Sequence, residues 1–288
     1  MQIDDQLQSA IEAQVRAAIE EDVGSGDITA NLVPRSSLAR ARVITREAGV
    51  FCGKPWIAET CRQVEPRIEL AWRAEDGDPI ERGQVLLELA GPARGLLTAE
   101  RTLLNFAQLL SGVATKTRRC ADLIRGTCAR LLDTRKTVPG LRLAQKYAVR
   151  CGGGENHRMG LFDAWLIKEN HIAAAGSIGA AVASARAQDE TAPLEVEVEV
   201  EVEVETLAQL EEAIAAGANR ILLDNFSVEQ CAAAVARTRG RARLEASGGI
   251  DEDSLAAIAH TGVDYVSVGN LTKSIRPLDL SMRFLDPS

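Results

Sequence analysis

Aromatic residues make up only 3% of this 288-residue chain, so its core must be built from Ala, Val, Leu and Ile. That composition suits helices packed on parallel strands better than an aromatic-rich all-β core. No apolar run reaches the ~20 residues that a membrane-spanning helix requires. The opening "MQIDDQLQSAIEAQ" is acidic and polar where a secretory signal would be basic and then apolar. These absences lead to an expectation of a cytoplasmic protein without a membrane partner. Cation excess is also missing: the net charge is −8, which disfavours a nucleic-acid partner and means that an anionic ligand must be met by a local cationic site. The six cysteines (52, 61, 120, 128, 151 and 231) are too dispersed for a disulfide framework or a zinc knuckle, so reduced thiols are expected. No serine-hydrolase elbow, dinucleotide-binding glycine motif or P-loop is present.

Apolar spacing at Leu7, Ile11, Val15, Ala18 and Ile19 predicts a helix over 5–21. Residues 37–91 read as β structure punctuated by Gly and Asp, an antiparallel or sandwich-like unit. A long helical stretch begins near Leu96. From residue 129 short apolar runs alternate with Ala-rich helices near 141–150, 177–188, 207–216, 228–238 and 252–261. The runs are "ARLLDTRK", "DAWLIKENH", "EVEVE", "RILLDNF", "RLEASGG" and "YVSVGN". Strict β-α alternation predicts a parallel sheet, either a barrel lacking a strand or an open doubly wound sheet.

Nearly every run ends in a polar or glycine-rich cluster. These are Thr134-Arg135-Lys136, Lys168-Glu169-Asn170-His171, a glutamate, Asp224-Asn225, Ser247-Gly248-Gly249 and Gly269-Asn270. In an α/β barrel the C-terminal strand ends surround the active site. Arg135, Lys136, Arg158 and Lys168, with His157 adjacent, would form a cationic anion-binding set. "EASGGI" and "SVGNL" offer backbone N–H groups to a phosphate. Asp224 and a glutamate beside them suit ribose hydroxyls or Mg²⁺.

The stretches "EDVGSGDIT", "LLTAERTLLNFAQLLSGVAT", "DTRKTVPGLRLAQKYAVRCGGGENHRMGLFD", "LIKENHI", "LLDNF", "LEASGGI" and "GVDYVSVGNLT" span almost the whole chain. Together they resemble the quinolinate phosphoribosyltransferase family, the carboxylating nicotinate-nucleotide pyrophosphorylases. The resemblance implies an N-terminal α/β sandwich over 1–113, to which 273–288 return, and an incomplete, seven-stranded type of α/β barrel over 114–272. It implies the reaction of quinolinate with phosphoribosyl pyrophosphate to give nicotinate mononucleotide, pyrophosphate and CO₂, with Mg²⁺ near Glu203 and Asp224 through the substrate. Arg135, His157, Arg158 and Lys168 would hold the dicarboxylate. Arg101 would come from a neighbouring subunit of a homo-oligomer, a dimer at least and up to a hexamer. Thr134 and Lys136 would contact substrate and pyrophosphate, Glu203 and Asp224 the ribose or its metal, and Ser247, Gly248, Gly249 and Gly269 the 5′-phosphate. Lys136, Lys168, Glu203 and Asp224 are the expected catalytic residues. Asn270 stands where the family often has a small residue. Two rivals remain: a related transferase using nicotinate or another acceptor, and a non-catalytic homologue that binds phosphate ligands.

The stretch "LEVEVEVEVEVETL" exceeds the family's strand by about six residues. An even insertion preserves the face on which each side chain lies, so the glutamates should share one face and the valines the other. Counting back from Asp224 makes Glu203 the functional acid; counting forward from Lys168 makes it Glu197. Glu203 is preferred, because the following helix fixes the strand's end.

Overall fold

The computed structural model describes residues 3–189 and 200–285. The chain forms two compact units. The first comprises 1–118, 137–153 and 271–288; the second comprises 119–136 and 154–270. Residues 137–153 therefore group with the first unit, although the sequence runs them straight on from the first strand of the second.

In the first unit α1 (Asp5–Val23) is followed by β1 (Leu38–Thr45), β2 (Gly49–Val50), α2 (Lys54–Val64), β3 (Glu69–Trp72), β4 (Pro79–Ile80) and β5 (Val85–Pro92). The helix α3 (Ala93–Leu123) begins here. Helix α4 (Arg142–Cys151) and the last strand, β12 (Leu280–Phe284), complete the unit. An antiparallel sheet runs β12-β1-β5-β3, and β2 pairs with β4. Its core is aliphatic, with Val43, Leu87, Leu89, Ile57, Leu96 and Leu103 all nearly inaccessible to solvent.

The purely β reading of 37–91 is corrected at α2. Pro55 stands in its first turn, where a missing N–H costs no helical bond. Its first amides are capped from a distance: Asp76 Oδ1 accepts from the N–H groups of Gly53 (2.9 Å) and Lys54 (3.1 Å). Burial raises the affinity of Asp76 for a proton, and the hydrogen bonds from Tyr147, Lys54 and Gly53 partly offset this.

The second unit is a parallel sheet of β6 (Arg130–Leu132), β7 (Trp165–Ile167), β8 (Val200–Val204), β9 (Arg220–Asp224), β10 (Arg243–Ser247) and β11 (Tyr265–Ser267). The order is β6-β11-β10-β9-β8-β7. Among the described residues no ladder joins β7 to β6, and Leu132 makes a single parallel bridge to Glu155 beyond β6. This is a barrel left open at one seam, with a one-residue seventh position.

Between strands come α5 (Glu169–Ala175), α6 (Ile178–Asp189), α7 (Leu207–Ala215), α8 (Val228–Thr238) and α9 (Glu252–Ala259), and α10 (Asn270–Lys273) follows β11. The starts of three helices are fixed by their sequence. Thr206 with Gln209, Ser227 with Gln230 and Asp251 with Ser254 form reciprocal caps. The Thr206 cap sits two residues past β8, which pins the end of the Glu-Val repeat.

Within that strand Val200, Val202 and Val204 are buried, while Glu201 and Glu203 lie on the opposite face. The alternation expected of the repeat holds over 200–204. Glu195, Glu197 and Glu199 lie outside the described residues.

Candidate active site

Strand register places the predicted residues in layers of one sheet face. Leu166 pairs with Glu201, Glu201 with Arg220, Arg220 with Arg243, and Glu245 with Tyr265. Side chains alternate along each strand, so Lys168 and Glu203 share this face at the level of Leu222, and Asp224 and Ser247, paired with one another, lie on it one layer nearer the C-terminal ends. Thr134 follows Leu132, which pairs with Ser267.

In the outer layer Lys168 Nζ forms an ion pair with Glu203 Oε2. Glu203 is 12% exposed and Lys168 42%. Asp224 Oδ2 accepts from Asn225 Nδ2 (2.8 Å). The Lys136 amide donates to Thr134 Oγ1 (3.0 Å). Gly269 packs so closely on these two residues that an added Cβ would stand 3.1 Å from Lys136 Cδ.

Ser247 Oγ accepts from Ser267 Oγ (2.9 Å). Gly248 (φ +90°) and Gly249 (φ +63°) then turn left-handed in succession. Any side chain at 248 would strike Asn225, whereas 249 faces open space. Asn270 opens α10 with a buried Oδ1 that lacks a hydrogen-bond partner among the described residues.

Arg158 is half-buried. Burial, and then the nearby charge of Arg135, hold its guanidinium below its usual affinity for a proton. Two like charges kept this close favour an anion that can meet both. Asp133, fully buried at the end of β6, holds the segment before Arg158: it accepts from Asn156 Nδ2 (2.6 Å) and from the His157 amide (2.9 Å). Arg101 lies exposed on α3, in the first unit.

Nearer the strand starts lies a cluster of which the sequence singled out His157 alone. Glu201 and Glu245 are 3% and 0% exposed. Arg220 Nε stands 3.1 Å from Glu201 Oε1, and its Nη2 pairs with Glu245 Oε2. The Arg220 guanidinium also stacks 4.3 Å above the Tyr265 ring. His157 Nε2 lies 3.1 Å from Glu201 Oε2 and 3.6 Å from Glu245 Oε1.

Burial and the charge of Glu201 push the Glu245 carboxyl up to about 7. Glu201 is held below its usual value: burial alone would raise it, but His157 and Arg220 outweigh that. Burial also works against protonating His157, and the hydrogen bond to Glu201 with the charges of both acids more than compensates. The signal in the sequence was a charged residue inside each of three short apolar strands, "VEVEV", "RILLD" and "RLEAS".

A parallel α/β sheet whose strand exits gather guanidinium, ammonium, carboxylate and glycine loops defines an enzyme built for anionic, phosphorylated substrates. Comparison with known proteins makes this specific. Family models for the N-terminal and C-terminal domains of quinolinate phosphoribosyl transferase match residues 27–111 and 113–283. The chain belongs to the quinolinate phosphoribosyl transferase family.

It is 46% identical to the nicotinate-nucleotide pyrophosphorylase [carboxylating] of Mycobacterium leprae, over 93% of this chain and 95% of that one. It is 44% identical to the probable nicotinate-nucleotide pyrophosphorylase [carboxylating] of Bacillus subtilis, over 91% and 89%. The solved nicotinate-nucleotide pyrophosphorylase of Francisella tularensis superposes with a TM-score of 0.93 at 47% identity, covering 99% of this chain and 98% of that one.

Proposed function

We propose that the chain transfers the phosphoribosyl group of phosphoribosyl pyrophosphate to quinolinate and releases pyrophosphate and CO₂, yielding nicotinate mononucleotide. The observation that carries this reading is the pair of guanidiniums, Arg135 and Arg158, held in one another's field beside the Lys168–Glu203 ion pair. A dianionic pyridine dicarboxylate answers that charge better than a monocarboxylate.

The ring nitrogen attacks the anomeric carbon as the bond to pyrophosphate breaks. Positive charge develops on the sugar, and Glu203 and Asp224, on neighbouring strands of one face, are placed to stabilise it electrostatically. The backbone of Ser247-Gly248-Gly249 and the closely packed Gly269 hold the 5′-phosphate, and Thr134 and Lys136 meet the pyrophosphate. The donor set of Glu203 and Asp224 is all carboxylate oxygen, which fits Mg²⁺ held through the substrate. When bound, Mg²⁺ neutralises charge on the departing pyrophosphate. Once the nitrogen is quaternary, the bond to the 2-carboxylate breaks with its electron pair passing to the pyridinium ring carbon, which then takes a proton. No strong base is required of the protein for that step.

The active form is a homo-oligomer in which Arg101 reaches the site of a neighbouring subunit. A cytoplasmic setting agrees with six free thiols, and no helix among the described residues is long and apolar enough to cross a membrane. Assaying quinolinate and nicotinate in parallel with phosphoribosyl pyrophosphate and Mg²⁺ tests the reading. Turnover of quinolinate with CO₂ release is expected. Preference for nicotinate would move the assignment to the monocarboxylate transferase, and turnover of neither would leave a binding protein.

A further inference from the structure

The imidazole of His157 has only two polar atoms, and both are engaged within the second unit. Nδ1 accepts from the Arg158 backbone N–H at 2.7 Å. Nε2 faces Glu201 at 3.1 Å and Glu245 at 3.6 Å. A nitrogen that accepts from an amide carries no proton, so the ring as folded is the Nε2–H tautomer, and that hydrogen is directed at Glu201. The two acids still raise the ring's affinity for a second proton, but taking it up at Nδ1 would break the bond to Arg158. The ring is only 10% exposed. It offers an incoming carboxylate a lone pair on one side and a committed N–H on the other.

We propose that His157 is a positioning residue: its imidazole ties the Arg158 backbone to the buried acids of the sheet and does not itself bind the substrate carboxylate. The tether has a clear purpose in this segment. Three glycines (152–154) precede it, so the backbone leading into Arg158 is intrinsically loose. Asp133 fixes the His157 amide, His157 fixes the Arg158 amide, and Arg158 Nη1 donates to Ala164 O (3.3 Å). At the other end Arg220, itself stacked on Tyr265, holds Glu201 and Glu245. The guanidinium of Arg158 is thereby aimed from a rigid base rather than from a mobile loop.

This inference rests on the proposed function only for its kinetic readout. His157→Phe, Arg158→Ala and the double variant are compared in the intact protein, with quinolinate KM, phosphoribosyl pyrophosphate KM and kcat measured for each. If His157 acts through Arg158, His157→Phe raises the quinolinate KM about tenfold, with kcat and the other KM little changed, and costs nothing further once Arg158 is gone. Multiplicative losses in the double variant would identify His157 as a direct ligand and overturn the proposal. If His157→Phe fails to fold, Glu201→Gln, which keeps the ring, replaces it in the same cycle with the same two outcomes.

Should the unaltered protein not turn over quinolinate, the proposed function fails and the tether is read from amide exchange instead. The Arg158 N–H is expected to be protected in the unaltered protein and to exchange rapidly when His157 or Glu201 is replaced. Equal protection in both would overturn the tether.

Discussion

A glutamine at position 203 would keep the shape of β8 and remove the charge that faces Lys168. If Glu203 stabilises the developing sugar cation, Glu203→Gln lowers kcat by about 10²-fold, whereas Glu205→Gln, on an exposed carboxylate, stays near full activity. Steady-state assays of the pair separate the register that selects Glu203 from one that selects another glutamate of the repeat. Glu245 makes a prediction of a different kind. Its folded carboxyl titrates at about 7 against an ordinary 4.5, so between those values the folded state holds a proton that the unfolded chain releases. Stability must then fall as pH rises through that window, by at most about 1.4 kcal/mol per pH unit for this group. Melting curves of Glu245→Gln from pH 5 to 8 should be flatter than those of the unaltered protein. Residues at strand exits were legible in the sequence because a charge or a glycine pair there interrupts an apolar run. Glu201, Arg220 and Glu245 were not, because a charge within a strand looks solvent-facing until the sheet shows that its neighbours are the opposite charges.

At the scale of elements, the loop after β10 separates two glycines that look equivalent in sequence. Gly248→Ala meets both a left-handed backbone (φ +90°) and the Asn225 side chain, while Gly249→Ala meets only the backbone (φ +63°). Gly248→Ala should cost about 1–3 kcal/mol and raise the KM for phosphoribosyl pyrophosphate. Gly249→Ala should cost about 1–2 kcal/mol, from the left-handed backbone alone. Thermal unfolding and initial rates check the order. Three helices of the second unit, α7, α8 and α9, carry their own start signals in "TLAQ", "SVEQ" and "DEDS", whereas α5, only seven residues long, was not legible in the sequence. Nor was helix α2, because its amides are capped by Asp76, more than twenty residues along the chain. Asp76→Ala should therefore destabilise the first unit by about 1 kcal/mol through the lost cap, with Asp76→Asn recovering part of it, by chemical denaturation.

For the whole molecule the position of Arg101 matters most. It is exposed on α3, as a residue offered to another subunit must be. Arg101→Ala and Lys168→Ala chains, each nearly inactive alone, should regain part of the unaltered activity when mixed and allowed to exchange subunits. No recovery despite exchange confirmed by mass would argue for sites contained in single chains. The division into two units was only partly legible, because a parallel sheet announces itself by alternation while the allegiance of 137–153 depends on contacts distant in sequence. Gln145 Nε2, for example, donates to Thr272 O within the first unit.

One edge strand of the first sheet, β12, is made after every other described strand of the two units. Until residues 280–284 leave the ribosome, β1 has a partner on one side only, and its other edge presents unpaired amides and carbonyls. All the segments of the second unit have by then been made. The first sheet is therefore completed only after the strands of the second unit have been made, and a nascent chain that still lacks 280–284 carries an open sheet edge of the kind that recruits other chains.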